Sequence, residues 1–169
     1  MAAGDTKLVY GSPVDVTITL SSALGPSSTY LAGRESTAID NTSNKYLDYL
    51  VSGQIKTHAT ITSGGRIEIW AVGTMDDGTT WPDVFDGTDS AETITNANIK
   101  NGCCKLVASM QVDATGTYPF GPVSIANVFG GVVPVKFVFF ITHYTHATNG
   151  LDTTGHELIV VPVYMNVAS

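Results

Sequence analysis

The sequence is poor in charged residues, which make up 14% of its 169 positions. A typical soluble domain carries about 25%. Because a weakly charged surface promotes association, this composition suits a protein that packs against neighbours. Domains rich in β-structure often have the same composition without any such partner. The low charge therefore leaves both interpretations open.

Basic residues are scarcer than acidic ones. Eight Lys and Arg stand against fifteen Asp and Glu, which gives a net charge of −7. A domain that binds DNA or RNA presents a basic face that displaces counterions from phosphates. The few basic residues here are scattered along the chain. We therefore predict no nucleic-acid partner.

Long apolar runs are missing as well. The most apolar stretch, Val132 to Ile141, is interrupted by Pro134 and Lys136. It is also shorter than the ~20 residues that a membrane helix needs. The segment from Met1 to Lys7 has no apolar region of the kind found in secretory signals. We expect a soluble protein that is synthesised in the cytoplasm and has no membrane partner.

The chain has two cysteines, and they are neighbours, Cys103 and Cys104. Adjacent residues of a strand point to opposite faces, and a disulfide between them would be strained. We therefore place Cys104 in the core and Cys103 outside it. Redox chemistry or a metal site is the alternative, although the C-x-x-C spacing is absent.

Catalytic signatures are also lacking. The sequence contains no G-x-S-x-G elbow, P-loop, dinucleotide fingerprint or H-E-x-x-H motif. Its nearest approach to an elbow, Gly121 to Ile125, has no second glycine. We predict that the protein is not an enzyme and uses no cofactor.

What the sequence does contain is alternation of apolar and polar residues. From Tyr46 to Ile61 apolar residues recur at every second position, which predicts a long strand buried on one side, with Gly53 marking a bulge. Ser63-Gly64-Gly65 predicts a tight turn. The return arm Ile67 to Val72 would complete a hairpin, which needs further strands to cover its apolar face.

Further strands are predicted at Val14 to Leu20, Cys104 to Val112, Val132 to Ile141 and Glu157 to Val167, with Pro162 pushing the last of these towards a sheet edge. Helical turns are predicted at Thr93 to Lys100 and, closed by Gly130-Gly131, at Val123 to Phe129. About seven or eight strands with one or two short helical turns indicate an all-β fold, an antiparallel β-sandwich or jelly-roll-like domain. We assign residues 1–10 to a flexible N-terminal arm and residues 11–169 to a single β-sandwich domain.

The longest polar excursion, Met75 to Ser90, carries five aspartates: Asp76, Asp77, Asp83, Asp86 and Asp89. Five carboxylates have the chemistry to hold Ca²⁺, but their spacing does not match an EF-hand. Aspartates on a polar loop usually stabilise turns, and we adopt that interpretation. His143 and His146 are placed on opposite faces of a strand by their spacing, so we predict no shared metal ion.

Several aromatic residues fall in irregular segments rather than in alternating strands. Large rings on such segments often anchor a partner, because they bury much area at little entropic cost. We predict a partner-binding set on this basis, with the alternative that the same rings close a satellite core at the ends of the sandwich. The set comprises Trp81, Phe85, Tyr118, Phe120 and Phe129.

Three stretches carry a family resemblance. They are LAGRESTAIDNTSNKYLDYLVSG at 31–53, WPDVFDGTDSA at 81–91 and YPFGPVS at 118–124. Together they resemble a family of small virion proteins of tailed bacteriophages, and the likeness runs from about Thr17 to the C-terminus. The resemblance implies a structural part of the particle and brings no catalytic residues.

Within that class we favour a capsid decoration (cement) protein, on the likeness in size, acidity and β-content. The resemblance then implies that the protein binds the major capsid protein on the outside of the assembled head, in the virion, and forms a homo-oligomer (dimer or trimer). One alternative is a tail or baseplate component, or a carbohydrate-binding adhesin-like module in which Trp81 and Tyr118 stack on sugar rings. Another is a metal-dependent hydrolase built on the aspartate loop, with Asp83 and Asp86 as essential residues.

Overall fold

The computed structural model of the protein describes residues 5–20, 24–62 and 64–167. These residues form eleven strands and two short helices. The strands are β1 (Thr6–Tyr10), β2 (Val14–Asp15), β3 (Ala32–Glu35), β4 (Ile39–Asp40), β5 (Asp48–Lys56), β6 (Gly65–Gly73), β7 (Ala91–Thr93), β8 (Cys104–Val112), β9 (Thr117–Ser124), β10 (Lys136–His143) and β11 (Glu157–Val167). The helices are α1 (Ala97–Cys103) and α2 (Ile125–Val128).

The strands form two antiparallel sheets. Sheet A has the order β1-β11-β5-β9, and the short β2 also pairs with β11. Sheet B has the order β7-β3-β10-β6-β8, and the short β4 also pairs with β10. The prediction of an all-β antiparallel sandwich is confirmed.

The main core lies between the two sheets. Sheet B contributes alternate residues of β6 and β10, and sheet A contributes alternate residues of β5 and β11. These buried side chains are Ile67, Ile69, Ala71, Phe137, Phe139 and Ile141 from sheet B, and Tyr49, Val51, Ile55, Leu158 and Val160 from sheet A. The period of two in the sequence is what sorts each strand into a core face and an outer face.

A second core lies on the outer face of sheet B. The residues that alternate with the main-core set, among them Val72, Val138 and Phe140, are also buried. They are covered by the segment between β6 and α1, which contributes Phe85 and Ile94. Strand β10 is therefore buried on both faces, as the apolar run that forms most of it predicts.

The predicted hairpin from Tyr46 to Val72 is wrong. β5 pairs with β9 and β11 in sheet A, whereas β6 pairs with β8 and β10 in sheet B. Between them the chain crosses the sandwich: the Thr57 N–H donates to Gly116 O at 2.9 Å, and the Thr62 N–H donates to Thr145 O at 2.7 Å. Alternation reports which face of a strand is buried and says nothing about its neighbour. Ser63, part of the predicted turn, lies outside the described residues.

Three other strand predictions need correction. β10 begins at Lys136, four residues after the predicted start at Val132, and ends at His143, two residues after the predicted end at Ile141. Of the segment Val14 to Leu20, only Val14–Asp15 is a strand, and Leu20 reaches the main core from irregular backbone. β11 has the predicted bounds but lies inside sheet A, between β1 and β5. The Gly11 N–H donates to Pro162 O at 2.8 Å. In an antiparallel strand the nitrogen and the carbonyl group of one residue point towards the same neighbouring strand. The nitrogen of Pro162 therefore points, like its carbonyl oxygen, to Gly11 in the break between β1 and β2.

The assigned N-terminal arm is also partly ordered. Thr6–Tyr10 form β1, paired with the C-terminal end of β11 in a register that joins Thr6 to Val167 and Tyr10 to Val163. Residues 1–4 of that arm lie outside the described residues. The sequence shows no signal for this pairing, because only the fold brings the two ends of the chain together.

The helical turns and Cys104 lie near their predicted places, whereas Cys103 was predicted outside the core and instead packs against the second core from the end of α1. α2 falls inside the predicted segment before Gly130-Gly131, and α1 begins four residues after the predicted start at Thr93. Cys104 is buried in the second core and Cys103 is half-buried beside it, both as free thiols. Within the described residues no helix has the length and apolar character to cross a membrane.

Position 53 on β5 requires a glycine because the backbone of the neighbouring strand β11 passes very close to it. The register between β5 and β9 shifts between Val51 and Gly53, which confirms the predicted bulge. A Cβ atom at Gly53 would lie 2.1 Å from the carbonyl oxygen of Glu157 on β11. No side chain can be accommodated there unless the backbone of β11 moves.

We expect Gly53→Ala to lower the free energy of unfolding by about 1–3 kcal/mol, the usual cost of forcing atoms into a packed site. Gly102→Ala is the matched control, since a Cβ atom there in α1 meets nothing within 4 Å. It should leave stability unchanged or raise it by up to ~1 kcal/mol, because alanine favours a helix. Urea unfolding of both variants measures the difference, and equal effects would contradict the tight contact at Gly53.

Candidate functional site

Two of the five predicted partner-binding aromatics belong to the second core. Phe85 is 4% exposed and packs edge-on against Phe140, with ring centroids 5.6 Å apart. Trp81 is half-buried in the same cluster. The side chain of Phe85 therefore presents almost no surface to a partner. Phe85 and Trp81 are therefore arranged as in the alternative interpretation, in which the aromatic rings close a satellite core.

The other three pack against the main core. Tyr118 and Phe120 on β9 and Phe129 after α2 are half-buried there. The Tyr118 hydroxyl also donates to Ala114 O at 2.6 Å and so holds the turn between β8 and β9. The five aromatic residues thus divide between two cores and form no single surface.

The aspartates of the 75–90 loop are occupied with turn contacts. Asp76 accepts hydrogen bonds from the backbone N–H groups of Gly78, Thr79 and Thr80 at 2.9–3.0 Å, and also from the Thr80 hydroxyl. These hydrogen bonds hold the pKa of Asp76 well below its usual range, and the bond from the Thr80 hydroxyl has the largest effect. Among the described residues no three His, Cys, Asp or Glu side chains are grouped to hold a metal ion.

Two of the other aspartates, Asp83 and Asp89, tie this loop to other parts of the chain. Asp89 forms an ion pair with Arg34 of β3 at 2.6 Å and accepts from the Thr19 hydroxyl, also at 2.6 Å. Asp83 accepts from the Thr95 hydroxyl at 2.6 Å. The loop is therefore a fixed cover over sheet B, which explains why a long segment lacks regular structure yet packs closely.

His143 and His146 have different surroundings. His143, at the end of β10, is fully buried, and its Nε2 lies 3.1 Å from Leu24 O. Burial lowers the pKa of His143, so the ring stays neutral at pH 7. His146 is half-exposed and its Nδ1 accepts from the backbone N–H groups of Thr148 and Asn149. Both histidines have structural contacts that account for them.

Sequence reasoning missed a buried ion pair on the outer face of sheet B. Lys100 of α1 places its Nζ 2.9 Å from Oε2 of Glu68 on β6 and 2.7 Å from Tyr30 O. The same ammonium lies 4.4 Å from the centroid of the Trp70 ring, a cation–π contact. Removing one member of such a pair leaves an uncompensated buried charge. The pair therefore anchors α1 on the sheet, and no local pattern in the sequence indicates it.

A second buried acid fastens the 75–90 loop. The Glu35 side chain on β3 is fully buried and accepts from the Gly87 N–H at 2.7 Å and the Asp86 N–H at 3.3 Å. Burial raises its pKa to about 7, against the effect of these hydrogen bonds. The carboxyl group therefore titrates near neutral pH while it holds the loop in place.

Four exposed apolar side chains lie together on two paired strands of sheet A. Leu8, Tyr10, Met165 and Val167 are 51%, 61%, 49% and 60% exposed, and we call these four residues the edge patch. Leu8 is directly opposite Met165 in the register of β1 and β11, so their side chains share a face. Leu158 and Val160 point into the main core, which puts Met165 and Val167 on the outer face of the sheet.

The backbone beside the edge patch is also available for pairing. Among the described residues β1 is an edge strand of sheet A. The Gly11 N–H points to β11, so by alternation the N–H and C=O groups of Thr6, Leu8 and Tyr10 point away from the sheet. An apolar edge strand of this kind favours association with another chain.

Comparison of the sequence with protein-family models and with curated proteins found no match. The functional argument therefore depends on the residues themselves.

Because its pKa is raised, Glu35 stabilises the fold most when it is protonated. Its contribution is fully present below pH 4.5 and is lost as the pH rises to about 7. The wild type loses stability as Glu35 ionises, whereas the glutamine of Glu35→Gln cannot ionise. Between pH 4.5 and 8 the free energy of unfolding of the wild type should therefore fall by about 3 kcal/mol relative to that of the variant. Denaturant unfolding at several pH values measures this difference. Glu157→Gln on β11 controls for the loss of an exposed charge, and parallel pH profiles for Glu35→Gln and wild type would contradict the assignment.

Proposed function

We propose that this protein is a capsid decoration protein of a tailed bacteriophage, which binds the outside of the assembled head and stabilises it. The observation that carries the proposal is the edge patch, four exposed apolar side chains on the paired strands β1 and β11, of which β1 is an edge strand of sheet A among the described residues. The resemblance of residues 31–53, 81–91 and 118–124 to small phage virion proteins supports the same class.

The aromatic residues predicted to bind the capsid are largely committed to the protein's own cores, so we assign the capsid contact to the edge patch instead. Burial of apolar surface contributes about 25 cal/mol per Å² removed from water. A strip of four side chains gives a modest contact for one copy, and repetition over a shell multiplies it. A ligand that binds only the assembled state stabilises that state by mass action.

The partners in this proposal are the major capsid protein and further copies of this chain. The outward-pointing backbone groups of β1 have the geometry to extend a sheet across either contact.

We expect wild-type protein to sediment with bare, expanded heads in a fixed stoichiometry, and Leu8→Asp to remain in the supernatant because a carboxylate disrupts the edge patch. Leu106→Asp is the matched control, since Leu106 is 49% exposed on β8 of the other sheet. It should sediment like the wild type.

Three results would contradict the assignment. Wild-type protein left in the supernatant would exclude the decoration role and favour the tail or baseplate. Equal loss of binding in both variants would point to a general effect of added charge. Full binding by Leu8→Asp would place the contact elsewhere on the protein.

A further inference from the structure

A cleft opens between the two sheets on the side where β2 and β4 lie. Its volume is about 540 Å³, within the ~300–1,000 Å³ of typical small-molecule sites. β2 and β11 of sheet A line one wall and β4 of sheet B lines the other, through residues such as Val160, Pro162 and Ile39. The cleft is distinct from the edge patch, which lies on the outer face of sheet A.

Three tyrosines form the aromatic part of this cleft. Tyr46 and Tyr164 are half-exposed, with ring centroids 5.4 Å apart, and Tyr49 lies beneath Tyr46 at 5.6 Å in an edge-on arrangement. The Tyr49 hydroxyl donates to Asn41 Oδ1 at 3.2 Å, and burial raises the pKa of Tyr49 to about 12. Tyr49 is thus a fixed floor, while Tyr46 and Tyr164 leave ring surface free for a ligand.

Polar groups without positive charge surround the tyrosines. Among the described residues that line the cleft there is no Lys, Arg or His. The polar lining consists of Ser12, Asp15, Thr17, Thr37, Asp40 and Asn44. Such a lining has no group that would attract an anion, and it offers many hydrogen-bond acceptors and hydroxyl groups.

The charge of the two aspartates is partly compensated. Asp40 accepts from the Thr42 N–H at 2.8 Å and lies 3.7 Å from the Lys136 ammonium, which stands outside the cleft. One carboxylate, Asp15, therefore remains as the main charge of the lining. A cation-binding aromatic cage depends on unbalanced negative charge and on rings enclosing the ion, whereas this lining is dominated by neutral hydroxyl groups.

We propose that the cleft binds a neutral saccharide of one or two rings. The C–H face of a sugar would pack on Tyr46 and Tyr164, because aromatic rings combine an apolar face with a polar tip. The sugar hydroxyls would pair with Asp15, Asp40 and Asn44 at the rim. This inference goes beyond capsid decoration, since it gives the protein a ligand of its own on another face.

The proposal is tested on the full-length protein by two-dimensional ¹H–¹⁵N NMR. Glucose, galactose, N-acetylglucosamine and lactose serve as neutral probes, and arginine, choline and sulfate serve as charged ones. We expect saturable shifts with at least one sugar, centred on Thr17, Asp40, Tyr46 and Tyr164, and none there with the charged probes. Absence of saturable shifts with all four sugars, or saturation by arginine or choline instead, would overturn the proposal.

Variants separate this site from the edge patch. Tyr164→Ala should weaken sugar binding by about tenfold, the loss expected for a stacking ring, while Tyr164→Phe should stay within about threefold. Asp15→Ala, at an exposed rim position that cannot disturb the core, should also weaken it severalfold. Tyr10→Ala is the matched control on the opposite face and should bind sugar normally.

The two proposals fail independently. Tyr164→Ala should still sediment with heads, and Tyr10→Ala should bind heads less well while retaining sugar binding. Sugar shifts that persist unchanged in both Tyr164→Ala and Asp15→Ala would overturn the assignment to this cleft, whatever the result with heads.

Discussion

The structure depends on the burial of β10 on both of its faces. Phe137, Phe139 and Ile141 point into the main core, and Val138 and Phe140 point into the second one. A strand with no polar face must be covered twice, which makes sheet B the middle layer of the protein. Sheet A covers one side, and α1 with the 75–90 loop covers the other.

This constraint decides what the polar residues of the cover do. Three side chains hold the cover, that is α1 and the 75–90 loop, on sheet B. Glu35 accepts from backbone N–H groups of the loop, Lys100 pairs with Glu68, and Asp89 pairs with Arg34. Buried charges are tolerated where they are paired or hydrogen-bonded, and breaking one such contact costs several kcal/mol. Loop residues with the appearance of a binding or metal site therefore make contacts that hold the loop on the sheet. The two surfaces that we assign to recognition, the edge patch on the outer face of sheet A and the cleft between the sheets, both lie away from this cover.

Local patterns in the sequence predicted the parts of the fold that are locally determined. Alternation predicted the core faces of β5 and β6, and an apolar run predicted that β10 is covered on both faces. Gly53 marked the bulge, and Gly130-Gly131 marked the end of the turn containing α2. Alternation does not encode strand pairing, so the hairpin between β5 and β6 was predicted where the chain in fact crosses between sheets.

The candidate site was harder to predict for the same reason. Phe85 in an irregular segment has the signature of an exposed anchor, and only the fold shows that a hydrophobic surface lies beneath it. The edge patch joins residues 8 and 10 to residues 165 and 167, and the tyrosine cleft joins Tyr46 to Tyr164. Contacts between residues so far apart in sequence leave no periodic signal in a single chain.

Hydrogen exchange of the protein alone and bound to expanded heads tests the central claim most directly, namely that the edge of sheet A is the binding surface. The account predicts that the amides of Thr6, Leu8 and Tyr10, which point away from the sheet, exchange fast in the free protein and slowly on the head. It also predicts that the amides of the 75–90 loop keep the same rates in both states. Protection confined to that loop, with β1 unchanged, would contradict the account.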